Sequence, residues 1–535
     1  MVSTEVSLRD GMKPRLSRIV AAVCVPLLAG AWPTFSGAAC TGSEQVRTAA
    51  LPAALVTSAA PLRTLEPHYF GFNFTWVEFQ ESLWDEKRRR FDEHAVKWLQ
   101  AFPGAVYRYP GGTESNHFDW KAAVGSRELR EPRKIVKWKG PLVATFGFDE
   151  YLAFVTEVGG QSWYVANLFG DYDKETDPKK LADDAYELAA YLKARPDASA
   201  AVLRWELGNE LDRGEYLWPA KKYLDVSKRV AEAIRSADPQ ARFVAIMEDY
   251  DAHWRWHSPG ATAEKYNRQV AAGLSSLATE YAQHSYYDGV NVEVPYAVSR
   301  RIAQICKSID AAESAHAGAG PVGIWVTEHA RQPVKPGESP NWKPNWPRSA
   351  DLEAALGVAD FMIAASQIPE VMGLFMHALH GLDAPWPMFH KNRTALPRTH
   401  PSAVFWALHV LREGMEADVF ATTSHSGNTG GYMGGYDFRA SVMANPDRTR
   451  WAVWSVNRAP KAQTIALRIP ALAGKSAKAS LRVLADDNLN ANNYADGNRL
   501  RPRDLPEQVL VFDKAGRAAL ALPAQSVAAA RLDVL

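Results

Sequence analysis

The feature that most constrains this chain is an alternation. Short apolar, β-prone runs at 69–74, 105–109, 162–168, 202–207, 242–247, 280–284, 322–327 and 371–376 are separated by segments with helical spacing at 86–102, 148–157, 178–194, 220–237, 263–277, 296–312 and 351–367. A further helical stretch, 401–411, follows the eighth run. Eight strand–helix units in series predict an α/β fold, a closed parallel (β/α)8 barrel over residues 65–412. The alternative, a doubly wound open sheet, would need a glycine-rich phosphate loop, and none is found. A chain of 535 residues also exceeds one compact core. After residue 415 the texture changes. "RWAVWSVNRA", "AKASLRVLA", "QVLVFD" and "QSVAAARLDVL" are β-rich and separated by turn residues, which predicts an antiparallel β-sandwich over 415–535, joined by a strand from 51–65.

The formal net charge of +1 gives no basic field for nucleic acid. At the N-terminus, Lys13, Arg15 and Arg18 precede an apolar run at 19–32, and small residues follow at 36–39. That pattern predicts a signal peptide over 1–40 and a secreted or periplasmic protein with no membrane span once processed. Cys40 is also a candidate for lipid anchoring, although the leucine expected before such a site is missing. The other cysteines are Cys24 and Cys306. Removal of the leader takes the first and threatens the second, so the expectation is an unpaired Cys306 and a fold held by its core alone. One decoy lies late in the chain. "DDNLNANNYADGN", 486–498, looks like a calcium loop but lacks glycine at its sixth position and glutamate at its twelfth.

A parallel barrel works at the C-terminal ends of its strands. Those ends carry Asn73 and Glu78, Arg108, Asn167, Asn209 with Glu210, Glu248, His284 with Tyr286, Glu328, and His377 with His380. Any barrel has polar strand ends; carboxylates from two different strands converging with Asn, His and Tyr say more. Glycoside hydrolysis needs such a pair, one carboxyl to protonate the leaving oxygen and one to attack or to activate water. Glu210 and Glu328, from the fourth and seventh strands, are the candidate catalytic residues. Glu206 lies inside the fourth strand and reads as structural, paired with Arg204 or Arg108. Asp212 and Glu215 read as solvated loop residues or caps.

"YRYPGGTESNHFDWKAAVG", "WELGNELD", "QHSYYDG" and "WVTEHA" occur in this order. Together they resemble the retaining glycosidases of the large (β/α)8 clan, family 51 α-L-arabinofuranosidases above all, with families 39 and 79 as neighbours. The resemblance spans roughly 65–535, since family 51 also carries a C-terminal β-sandwich. It implies Glu210 as general acid/base, Asn209 as a hydrogen-bonding partner of the sugar 2-hydroxyl, and Glu328 as nucleophile. It implies Arg108, Asn116, His284 and Tyr286 as the lining of the glycone site. No metal or organic cofactor is implied. Two positions depart from the family: Thr113 stands where asparagine usually follows Pro-Gly-Gly, and Glu328-His329-Ala330 stands where Glu-Trp-Asn is common.

Among the 18 tryptophans, several sit in proline-rich loops: Trp254 and Trp256, Trp342 and Trp346, and Trp386. On a barrel these loops crowd the rim, where flat rings suit the apolar faces of sugars. Trp254 and Trp342 are therefore candidate substrate-binding residues, and the expected substrate is a polysaccharide or oligosaccharide. β-Xylosidase, β-glucuronidase and exopolysaccharide endo-hydrolase chemistry remain open, as does a carbohydrate-binding protein that has lost catalysis.

Overall fold

The computed structural model describes residues 40, 46–49, 51–135, 140–172, 174–249, 263–287, 294–316, 321–332, 345–391, 399–427 and 436–535. Eight parallel strands close into a barrel: β1 Phe70–Asn73, β2 Val106–Tyr109, β3 Gln161–Ala166, β4 Val202–Leu207, β5 Phe243–Ile246, β6 Glu280–Tyr287, β7 Gly323–Arg331 and β8 Val371–His377. Each pairs with its sequence neighbour, and β8 closes on β1. All eight fall where the apolar runs predict them. The barrel is filled from below. Arg204 on β4 forms a two-point ion pair with Glu280 on β6. Above it Trp163, Trp325 and Phe375 pack edge to face. Gly71 is required opposite them, because any Cβ there would enter the Phe375 ring. This aromatic floor sets the height at which the polar residues above it stand.

The helices also follow the pattern, with one correction. The segment 86–102 is not one helix. Trp84–Asp85 and Arg90–Phe91 form a short hairpin, and only Glu93–Leu99 is helical. The boundary is local chemistry: the Asp92 side chain accepts from the His94 and Ala95 amides, capping a helix that starts there.

The C-terminal part differs in detail from a purely antiparallel sandwich. Its strands belong to one ten-stranded sheet that curls around its own core of Val442, Val453, Leu467 and Leu481. Ala53–Thr64 enters this sheet between Asp418–Ser426 and Gln463–Arg468, antiparallel to the first and parallel to the second. Val46–Thr48 adds a further parallel pairing. The sheet is anchored to the barrel through the helix Leu352–Ser366, which is buried on nearly every side. Asp360 on that helix, fully buried, accepts from Arg439, Arg458 and Tyr436 of the β-domain. An uncompensated carboxylate there would be costly, so the three donors fix one docking geometry.

The cysteine expectation is overturned. Cys306 is joined to Cys40 in a disulfide, with Cα atoms 5.7 Å apart. A sulfur engaged in that bond is not the one that would carry a lipid. Among the described residues no helix is long and apolar enough to cross a membrane.

Candidate active site

The site is built around Arg108, near the end of β2 and fully buried. Its Nε and one Nη donate to both oxygens of Glu206 at 2.7 and 3.0 Å. The remaining donors reach Asn73 at 2.7 Å, Glu328 at 3.0 Å and Asn209 at 2.7 Å. One guanidinium thus ties the ends of β1, β2, β4 and β7. Glu206 is in turn completed by the Trp163 indole N–H at 2.8 Å and the Thr327 hydroxyl at 3.1 Å. Its structural reading and its pairing with Arg108 hold, while Arg204 is taken by Glu280. Burial opposes the charge on Arg108, but Glu206 and Glu328 outweigh it and hold the guanidinium firmly protonated.

Glu328 reaches this centre through a bulge. On β7, Val326 pairs with Gln283 and Glu328 pairs with His284, so Thr327 is an extra residue in the ladder. Strand alternation would send Thr327 and Glu328 to opposite faces. With the bulge, Thr327 reaches Glu206 and Glu328 reaches Arg108. His329 turns outward, against Tyr287 and Phe361, and burial pushes its pKa down to about 3. The departure at His329 therefore lies behind the barrel wall, away from the two carboxylates.

Both oxygens of Glu328 are held. One accepts from Arg108; the other accepts from the Tyr286 hydroxyl at 2.6 Å and lies 3.6 Å from His284 and from His377. Burial alone would raise this carboxyl, but the facing His284, His377 and Arg108 outweigh it and bring its pKa to about 2. Arg108 is the permanent part of that field, since the histidines act only when protonated. The folded value lies below the ordinary 4.5, so ionised Glu328 contributes stability that is complete above that pH and lost as pH falls toward 2.

Glu210 follows Gly208 and Asn209 at the end of β4, in a turn where Gly208 has φ 82° and Glu210 itself φ 48°. A left-handed glutamate is uncommon and costs energy. The turn is held from outside: Asn116 donates to the Asn209 carbonyl at 2.7 Å and accepts from the Asn209 amide at 3.0 Å. Both polar ends of the Asn116 side chain are therefore engaged with backbone. The Glu210 carboxylate, part-exposed, meets His284 Nδ1 at 2.8 Å and lies 3.7 Å from Arg213. Asp212 is buried and bonded to Arg213, contrary to the solvated reading. One oxygen each from Glu210 and Glu328, with a His284 ring nitrogen, fall within 4.8 Å of one another.

Such a trio has the donors of a metal site. Both Glu328 oxygens, however, already face Arg108 and Tyr286, and the guanidinium would repel a cation. The donor set suits an ionised carboxylate better than a ligand sphere.

Of the residues expected at the site, Glu210, Glu328, Arg108, Asn209, Asn116, His284 and Tyr286 come together. Trp254, Trp256 and Trp342 lie outside the described residues. Asn167 instead closes its own loop, accepting from the amides of Phe169 and Gly170. From the strand-end roster and the rim tryptophans they are joined by Asn73 and His377, in contact at 2.6 Å, and by Trp386, whose ring lies 5.3 Å from Tyr286 and 5.1 Å from His377. The strand-end rule points to the first two; nothing local distinguishes Trp386 from other rim tryptophans.

Residues 98–291 match the profile of an alpha-L-arabinofuranosidase 1 domain. This chain is similar to the family 51 glycoside hydrolases. Its likeness extends to a probable alpha-L-arabinofuranosidase C of Aspergillus fumigatus, 24% identical over 248 residues, 42% of this chain and 46% of that protein. An intracellular exo-alpha-(1->5)-L-arabinofuranosidase of Streptomyces lividans is 26% identical over 204 residues, 34% of this chain and 28% of that one. The chain thus spans less than half the length of these curated relatives. In fold, a family 51 alpha-L-arabinofuranosidase of Bifidobacterium longum superposes with a TM-score of 0.72 at 16% identity, covering 90% of this chain and 99% of that one. The family 51-like fold therefore takes in both the barrel and the β-domain.

Because two N–H groups of the buried Arg108, the Trp163 indole and the Thr327 hydroxyl all end on Glu206, its loss leaves four buried donors unpaired and only Glu328 to balance the guanidinium. Glu206→Ala is expected to cost about 3–5 kcal/mol of unfolding free energy, read by denaturant titration. Thr113→Ala, at the loop position that departs from family 51, is expected to change it by less than about 1 kcal/mol.

Proposed function

We propose that this protein is an exported retaining glycoside hydrolase of α-L-arabinofuranosidase-like specificity, with Glu328 as nucleophile and Glu210 as acid/base. The observation that carries the reading is the paired geometry of the two carboxylates. Their nearest oxygens lie within 4.8 Å. That supports direct attack, for which carboxyl groups stand about 5–5.5 Å apart, over a route needing room for water between them.

In the first step the Glu328 carboxylate bonds to the anomeric carbon while the bond to the leaving oxygen breaks, and Glu210 gives that oxygen its proton. In the second, Glu210 takes a proton from water, the hydroxide attacks the anomeric carbon, and the Glu328 ester bond breaks. The sugar leaves and both residues return to their starting states. Asn209 has its side-chain oxygen turned to Arg108, so its amide NH2 is the end left to meet a sugar hydroxyl. His284 spans both carboxylates and steers the proton borne by Glu210. Export draws support from the N-terminal apolar run and from the Cys40–Cys306 disulfide, a bond that persists in oxidising compartments. Arabinofuranosides are favoured by the names of the relatives.

Hydrolysis of a panel of aryl glycosides, α-L-arabinofuranoside first, tests this reading. Glu328→Ala and Glu210→Ala should each lower kcat by at least about 10³-fold, a size consistent with lost covalent or acid–base catalysis. Azide should restore turnover in at least one of them. Activity surviving both substitutions would show that the reaction centre lies elsewhere.

The pH dependence follows from Tyr286. Its hydroxyl stabilises only the ionised form of Glu328, so Tyr286→Phe should raise the pKa of that carboxyl by about one unit. The acid limb of kcat/KM should move to higher pH by that amount; an unmoved limb would detach it from Glu328.

A further inference from the structure

The loop 486–500 of the β-domain, read in the sequence as a calcium-like decoy, has a different use. It reaches across to the mouth of the barrel and is fastened there by backbone. Leu352 and Glu353 amides donate to the Ala491 and Leu489 carbonyls at 2.8 and 3.0 Å. His400 contacts the Asn493 carbonyl at 2.6 Å, and the fully buried Asn493 side chain donates to the carbonyls of Pro401 and Leu500. The side chains of Asp486, Asn488 and Asn492 accept from the amides of Asn488, Asn490 and Tyr494, each closing a local turn. Such a loop is rigid, and what it holds out is Tyr494, 44% exposed.

Tyr494 does not stand alone. Its ring meets Trp346 edge to face at 4.9 Å, and its hydroxyl donates to the exposed Asp383 at 3.3 Å. Trp346 begins the single turn Trp346–Ser349, and the Ser349 hydroxyl accepts from the Trp386 amide at 2.7 Å. Trp386 packs its ring on Tyr286 and His377, two of the residues that face Glu328. Its indole N–H is fixed on the Arg331 carbonyl at 2.7 Å. A chain of contacts therefore runs outward from Glu328, from the Trp386 ring through the Ser349 hydrogen bond to the Trp346 turn, and ends on a residue of the second domain.

We infer that Tyr494, with Trp346 and Asp383, forms a remote subsite for a sugar unit of the substrate several positions from the cleaved bond. This inference rests on the proposed glycosidase reading and deepens it: the substrate is a neutral oligosaccharide or polysaccharide, and the β-domain takes part in holding it. The chemistry fits that ligand. A part-exposed ring offers a flat face to sugar C–H groups, and an adjacent carboxylate accepts from two neighbouring hydroxyls. Continuity with the reaction centre selects a substrate chain over an unrelated partner. A rigid mount limits the ordering cost of binding at so exposed a place.

The test compares wild type, Tyr494→Ala and Tyr494→Phe on an aryl glycoside and on oligosaccharides of two to six units of the sugar that the glycoside panel identifies. Wild type should gain in kcat/KM with length. Tyr494→Ala should remove about fivefold to tenfold on the longest substrates and leave the aryl glycoside unchanged, and Tyr494→Phe should retain most of the gain. A wild-type gain that Tyr494→Ala leaves intact overturns the subsite while sparing the glycosidase reading, as does the absence of any gain. Should wild type cleave no glycoside, calorimetric titration with arabinohexaose and xylohexaose decides the subsite by itself. Affinity for one of them reduced by the same factor in Tyr494→Ala supports it, and no binding, or equal affinity in both proteins, rejects it.

Discussion

The ion pair between Arg108 and Glu206 is the constraint on which the rest of the site depends. Two opposite charges are buried inside the barrel, and neither is tolerable without the other. Their attraction consumes two of the guanidinium's five N–H groups; the remaining donors go to Asn73, Asn209 and Glu328. The pair therefore does more than satisfy itself. It sets where β1, β4 and β7 place their terminal residues, and it leaves beside Glu328 a positive group whose own charge is already balanced. Such an arrangement helps keep Glu328 ionised.

The two carboxylates differ because their surroundings differ. Glu328 is enclosed, with a donor on each oxygen and cationic neighbours that outweigh the burial penalty. Glu210 stands on a strained turn, part-exposed, and shares a histidine with its partner. An enclosed anion and a more open carboxyl are the environments that divide nucleophile from acid/base in a double displacement. Strain at Glu210 persists because Asn116 grips the backbone on one side and Arg213 stands on the other.

Much of this was legible in the sequence. The eight apolar runs gave the strands, since a strand buried on both faces reads as a continuous apolar segment. The strand-end rule then located Arg108, Asn209, Glu210, His284, Tyr286 and Glu328. What escaped depends on register and on contacts between distant segments. The extra residue Thr327, which brings Glu328 inward, leaves no mark in composition. Asn116 is placed at the site by resemblance, but its grip on the Asn209 backbone, which holds the Glu210 turn, needed the structure. The disulfide joins Cys40 to Cys306 across the fold, and spacing cannot show that. Residues 84–92 misled because a basic turn and a capped helix share the helical spacing of one longer segment.

In the proposed double displacement Glu328 becomes covalently bonded to the sugar during turnover. Incubation with an activated 2-fluoro-arabinofuranoside, which slows breakdown of a glycosyl ester more than its formation, followed by peptide mapping by mass spectrometry, tests it directly. One added glycosyl mass is expected on the peptide that contains Glu328, absent in Glu328→Ala. A label on another residue, or continued turnover with no labelled peptide, would contradict it.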